Sequence, residues 1–131
     1  MAELMMRDQS SAGHVLGGAW VADLPDEVSV RDVVRARIRG EVAAYNAAPG
    51  PVFRGLVQPA DAVRHSDGFR MREPRKLDAE LLIAAAEEAT GLGLLRLRLD
   101  DRPVDLDELV TPADHDELVA VLERSVVASD S

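Results

Sequence analysis

Three histidines, His14, His65 and His115, are the side chains most suited to metal binding or proton transfer near neutral pH. They stand far apart, each among turn-forming residues. Asp114-His115-Asp116 and His65-Ser66-Asp67 are too short and too common to count as motifs. The acid pairs Asp100-Asp101 and Glu87-Glu88 suit a turn and an exposed helix face, whereas general acid–base chemistry needs carboxylates gathered in a cleft. The chain has no cysteine, which removes disulfides, thiol nucleophiles, cysteine-type zinc sites and iron–sulfur clusters. Neither a phosphate-binding loop nor a dinucleotide fingerprint, serine elbow or zinc motif occurs, and Gly91-Leu92-Gly93 lacks a third glycine and follows a helix. No catalytic residue, metal site or cofactor is expected.

The arginines carry more information. Arg96 and Arg98 alternate with Leu95, Leu97 and Leu99, so one face of that segment offers two guanidinium groups that pair with carboxylates. The stretch Arg70-Met71-Arg72-Glu73-Pro74-Arg75-Lys76 is a second basic feature, with Arg72 and Arg75 as contact candidates. It could touch phosphate or an acidic protein, or neutralise the acidic end of the chain itself. The net charge of −9 disfavours nucleic acid, whose phosphates need compensating cations, and only Phe69 is near enough for base stacking. No run approaches the length of a membrane span, and the first eight residues lack the pattern of a secretory signal. A cytoplasmic protein with a protein partner is expected, without nucleic acid or membrane, and self-association is left open.

These residues need elements to position them. Residues 3–8 and Val15–Leu24 read as a hairpin, with Gly17-Gly18 marking a bulge or a close backbone approach. Ser29 is an N-cap for a helix whose stripe is Val30, Val33, Val34, Ile38, Val42 and Tyr45, stopped by Pro49-Gly50-Pro51. Arg31, Arg35 and Arg39 fall on its opposite side, and Asp32–Arg35 and Arg37–Glu41 are predicted pairs. Residues 48–77 form a long basic insertion of little periodicity, with a single helical turn expected at Pro59. A second helix spans residues 78–90, burying Leu81, Leu82, Ala85, Ala86 and Ala89 and turning Glu80, Glu87 and Glu88 to water. Strand Leu94–Leu99, the turn Asp100-Asp101 and a short strand follow, then Leu106–Leu109 as a helical turn and Leu118–Leu122 as the last strand.

That order, and above all Arg96-Leu97-Arg98-Leu99-Asp100-Asp101-Arg102-Pro103-Val104 with Asp116–Arg124, resembles the ubiquitin-like β-grasp family. The second helix and basic insertion make the chain similar to elaborated bacterial members. The resemblance implies an α+β fold over residues 1–131 as one domain, a mixed sheet packed on an amphipathic helix. Family members that are conjugated, or that carry sulfur, end in Gly-Gly. Here Val126-Val127 stand near the equivalent positions, and Gly-Gly occurs only at Gly17-Gly18. The resemblance thus implies a non-catalytic interaction module, an adaptor or subunit that binds a protein partner by its sheet face. The expected contacts are Arg96, Arg98, Val119 and Val121, with Arg72 and Arg75 secondary. The alternatives are a degenerate modifier docking on an adenylating enzyme, and a small-molecule binder with a pocket between the insertion and the helices.

Overall fold

The computed structural model describes residues 1–129. Its elements are β1 (Ala2–Ser10), β2 (Val15–Leu24), β3 (Val28–Ser29), α1 (Val30–Ala47), β4 (Val52–Phe53), β5 (Ala62–His65), β6 (Gly68–Met71), α2 (Ala79–Gly91), β7 (Leu95–Leu99), β8 (Arg102–Val104), β9 (Leu109–Val110), a 3-10 turn at Pro112–Asp114, and β10 (Glu117–Leu122). Five strands form one mixed sheet in the order β2-β1-β10-β7-β8. β1 and β10 run parallel at its centre, with Met5 opposite Glu117 and Ser10 opposite Leu122, and the other neighbours are antiparallel. The protein is therefore α+β, a mixed sheet with two α-helices among the described residues.

Alternation decides which face of the sheet is covered. Leu4 and Met6, Val21 and Leu24, Leu95, Leu97 and Leu99, and Leu118, Ala120 and Leu122 all enter one core. The predicted stripe of α1 meets them, with every one of its six residues buried. Ser29 caps this helix by accepting the Asp32 N–H at 3.1 Å. Burial of each large aliphatic side chain stabilises by roughly 1.5–3 kcal/mol, so the stripe holds α1 more firmly than its surface ion pairs do.

Of the row Arg31, Arg35, Arg39, the first two are half-buried and Arg39 is exposed. The row runs beside α2, where Arg31 Nη1 and Arg35 Nε each donate to Glu87 at 2.7 Å and Arg39 donates to Glu80 at 3.1 Å at the surface. Glu87, expected on a water-facing side, is only 24% exposed. The Arg35 guanidinium, seconded by that of Arg31, holds its carboxyl below the usual carboxylate range. Arg35 thus turns to Glu87 rather than to Asp32, while the Arg37–Glu41 pair forms at 3.3 Å.

The insertion differs most from expectation. Residues 48–77 build a second antiparallel sheet, β4-β6-β5, and no helical turn forms at Pro59; Asp61 takes φ 63° and the chain enters β5. Its strands of two to four residues are too short for periodicity to register. Aromatic contacts join this sheet to α1: Tyr45 meets Phe53 edge-on at 5.4 Å, and Phe53 stacks near Phe69 at 6.4 Å. Asn46 pins the far end through paired 2.8 Å bonds with the Leu77 backbone. The chain after β10 returns to the insertion as well. The Gln58 N–H donates to the Val126 carbonyl at 2.7 Å, and the Ala128 N–H to the Gln58 carbonyl at 2.9 Å. Leu106–Leu109 is a tight turn leading into β9, which pairs with β3, and not a helical turn.

Candidate functional site

The outer face of the main sheet holds four of the six predicted contact residues. Val119 lies between Arg7 on β1 and Arg98 on β7, and Val121 between Gln9 and Arg96. The valines point away from the main core, as alternation requires, yet they are only 5% and 7% exposed. Long neighbouring side chains cover them, so their apolar area is already largely withdrawn from water. The guanidinium groups are engaged too. Arg96 pairs with Glu123 at 2.5 Å, Arg7 with Glu117 at 2.8 Å, and Arg98 donates to the Asp101 carbonyl at 2.9 Å. A hollow of about 720 Å³ wraps the edge of β7 where β8 stops, lined on the outer side by Arg96, Arg98 and Val121 and on the inner side by Leu95, Leu97, Arg31 of α1 and Gly91 of α2.

Arg72 and Arg75 are not part of this face. They follow β6 on the insertion, where Arg72 is exposed and Arg75 donates to the Ala60 carbonyl at 3.2 Å. Sequence reasoning missed Trp20. It is 62% exposed on the outer face, opposite Met5 on β1. Its place as the sole tryptophan within an alternating strand was the available signal.

A second feature is a cleft of about 830 Å³ between β2, α1 and the insertion. At its base Arg37 makes a two-pronged bond to Asp8, at 2.5 and 2.6 Å, and donates from Nε to Glu41 at 3.3 Å. The Arg37 and Asp8 side chains are 1% and 6% exposed. Burial works against the Arg37 charge, but the Asp8 and Glu41 carboxylates outweigh it and hold the guanidinium firmly protonated. Burial pushes the Glu41 carboxyl up, against the pull of Arg37 and of the Leu56 N–H that it accepts at 3.2 Å. Space at the cleft is kept by small residues: Gly17 and Ala19 on β2, and Ala36, Gly40 and Ala44 on α1. The glycine pair has a structural task here. A Cβ on Gly18 would lie 2.6 Å from the Met6 carbonyl oxygen, and the register shifts between Asp8 and Gln9.

No family model, curated protein or solved structure matches the chain. The chemistry must be read from these two surfaces. Among the described residues no group of three His, Asp or Glu side chains is placed to hold a metal ion. His115 Nδ1 lies 2.9 Å from Asp100, whose carboxylate also accepts the Asp116 and Glu117 N–H groups. That contact, with the two N–H bonds, holds the Asp100 carboxyl low and braces the turn after β7. His14, between β1 and β2, and His65, at the end of β5, are exposed. No helix among the described residues is long and apolar enough to cross a membrane.

Proposed function

We propose that this protein is a non-catalytic interaction module of the ubiquitin-like β-grasp type, an adaptor or subunit that binds a protein partner through the outer face of its main sheet. The strand order β2-β1-β10-β7-β8, with its central parallel pair and α1 across the inner face, supports the β-grasp reading. One observation carries the functional reading: Arg96, Arg98 and Val121 come together on the outer side of a single hollow that wraps the β7 margin and reaches Arg31 of α1 and Gly91 of α2 on its inner side. Arginine and tryptophan are the residue types that dominate binding energy at interfaces, and Trp20 stands exposed on the same face. Val119 and Val121 then serve as the floor beneath Arg7, Arg96 and Arg98, and the guanidinium groups, which exchange internal partners for external carboxylates, make the contact. The bound-back segment Val126–Ala128 supports a role other than conjugation, since it is held against Gln58.

The test is affinity capture from the native host with wild type, Arg98→Glu, and Arg39→Glu as a charge control on a different surface. A partner retained by the control and lost with Arg98→Glu fits the reading. Equal recovery with all three would exclude the outer face as its binding surface.

A further inference from the structure

The cleft between β2, α1 and the insertion is uneven in its polarity. Its β2 side carries no charge from Leu16 to Ala22, and Leu16 and Trp20 there are exposed large hydrophobic residues. Across from it on α1 stand Ala36, Gly40 and Ala44, about one turn apart, over about 12 Å at the helical rise. A Cβ on Gly40 would meet nothing within 4 Å, so this wall gives onto open space. The base is electrically closed, because Asp8 and Glu41 are both bound by the buried Arg37.

Charge enters at the insertion end. Arg54 is exposed and makes no ion pair among the described residues, and a Cβ on Gly68 would lie 3.1 Å from its Cγ. Arg64 stands opposite Phe69 in the β5–β6 ladder, with its guanidinium 4.6 Å from the centroid of that ring. The two arginines thus flank the Gly68–Phe69 step of one strand. Arg64 is half-buried, and its guanidinium donates at 3.1 Å to the Ser125 hydroxyl, a neutral acceptor; burial pulls the guanidinium down. Asp67, the acid at this end of the cleft, pairs with Arg70. A partly desolvated cation without a carboxylate is unfavourable by itself, and an arriving anion relieves it.

We propose that the cleft binds a free, unbranched acyl carboxylate, with its chain along Ala36, Gly40 and Ala44 and its head between Arg54 and Arg64. An elongated trough, apolar along its length and cationic at one end, matches a ligand with the same division. Its volume of about 830 Å³ is that of a small-molecule site. The site is separate from the outer face of the sheet, and the inference does not rest on the reading of that face.

The probe is dodecanoate below its micelle concentration, titrated into the full chain by calorimetry. Trp20 fluorescence is a second readout, since that residue borders the cleft. Dodecanoate binds, and affinity falls about three- to fourfold for each methylene removed through decanoate to octanoate. Dodecyltrimethylammonium, which the net charge of −9 attracts everywhere else, binds at least about tenfold more weakly. Arg54→Glu and Arg64→Met each weaken dodecanoate at least about tenfold. Gly40→Leu puts a helix-favouring side chain into the trough, so it holds its urea midpoint yet loses at least about tenfold in dodecanoate affinity. Arg39→Glu, a charge change on the α2 side, binds as wild type does. No binding of dodecanoate, equal binding of the ammonium amphiphile, or full affinity in Gly40→Leu would overturn the proposal. So would dodecanol binding as tightly as dodecanoate, which would leave the two arginines without a part in recognition.

Discussion

Substituting Asp8 by alanine tests the buried base of the cleft directly. Arg37 is 1% exposed, and two of its three side-chain bonds end on Asp8. Removing that carboxylate leaves a guanidinium with only Glu41, at 3.3 Å, to oppose its charge. Breaking a buried pair of this kind costs about 3–5 kcal/mol. A chain of 131 residues has roughly 7–20 kcal/mol in total, so the variant folds but with a clear deficit. With a urea slope of about 2 kcal/mol/M, the midpoint followed by far-ultraviolet circular dichroism falls by about 2 M. Replacing both partners separates pair strength from the cost of an orphan charge. Asp8→Leu with Arg37→Met removes both charges, and Glu41→Gln must accompany them because Glu41 then lacks its cation. This triple variant recovers to within about 1 kcal/mol of wild type. A loss below about 1 kcal/mol for Asp8→Ala, or a triple variant as weak as the summed single changes, would refute the account of a desolvated, mutually dependent pair.

Further expectations follow from other sites. Glu87 has a depressed carboxyl pKa, so its contribution is complete above the ordinary value of 4.5 and is lost as pH falls below it; Glu87→Gln lowers stability at neutral pH by about 0.5–1 kcal/mol and flattens the acid limb of a stability–pH curve. Glu41 has the opposite sign: its raised pKa means stability falls as pH rises from 4.5 through the folded value, and Glu41→Gln removes that slope in urea titrations across the range. Val121→Asp places a carboxylate at a site 7% exposed between Arg96 and Gln9, and thermal melts should show a loss of about 1–3 kcal/mol. Gly18→Val meets the Met6 carbonyl and shifts the hairpin, with a melting temperature lower by several degrees, whereas the same change at solvent-facing Gly40 costs less.

Much of the fold was legible because its long elements carry long patterns. The six-residue stripe of α1, the inward Leu95, Leu97 and Leu99, and the N-caps Ser29 and Asp78 are all where spacing and side-chain chemistry put them. The insertion was not legible: strands as short as Val52–Phe53 owe their existence to Tyr45 and Phe69, whose proximity is tertiary. Periodicity set Arg31, Arg35 and Arg39 apart from the apolar stripe, but it could not say that a second helix lies beside them and takes Arg31 and Arg35 onto Glu87. The buried pair at the cleft left a signal that was available. Asp8 follows Leu4 and Met6 at inward register, and Arg37 interrupts an apolar stripe between Val34 and Ile38. One charge of each sign on two apolar faces implies that the faces meet there, since neither can be buried alone.

The pairing of β1 with β10 ties the two ends of the described chain together at the middle of the sheet, Met5 beside Glu117. During synthesis the β1–β2 hairpin and α1 leave the ribosome long before β10 exists to complete them. Until then β1 has an unfilled side, and the inner face of the hairpin has only part of its cover. Loop closure over so much sequence is slow relative to hairpin formation. The vulnerable interval in the life of this protein therefore lies before β10 emerges, when an exposed central strand can be captured by another nascent chain or by a chaperone.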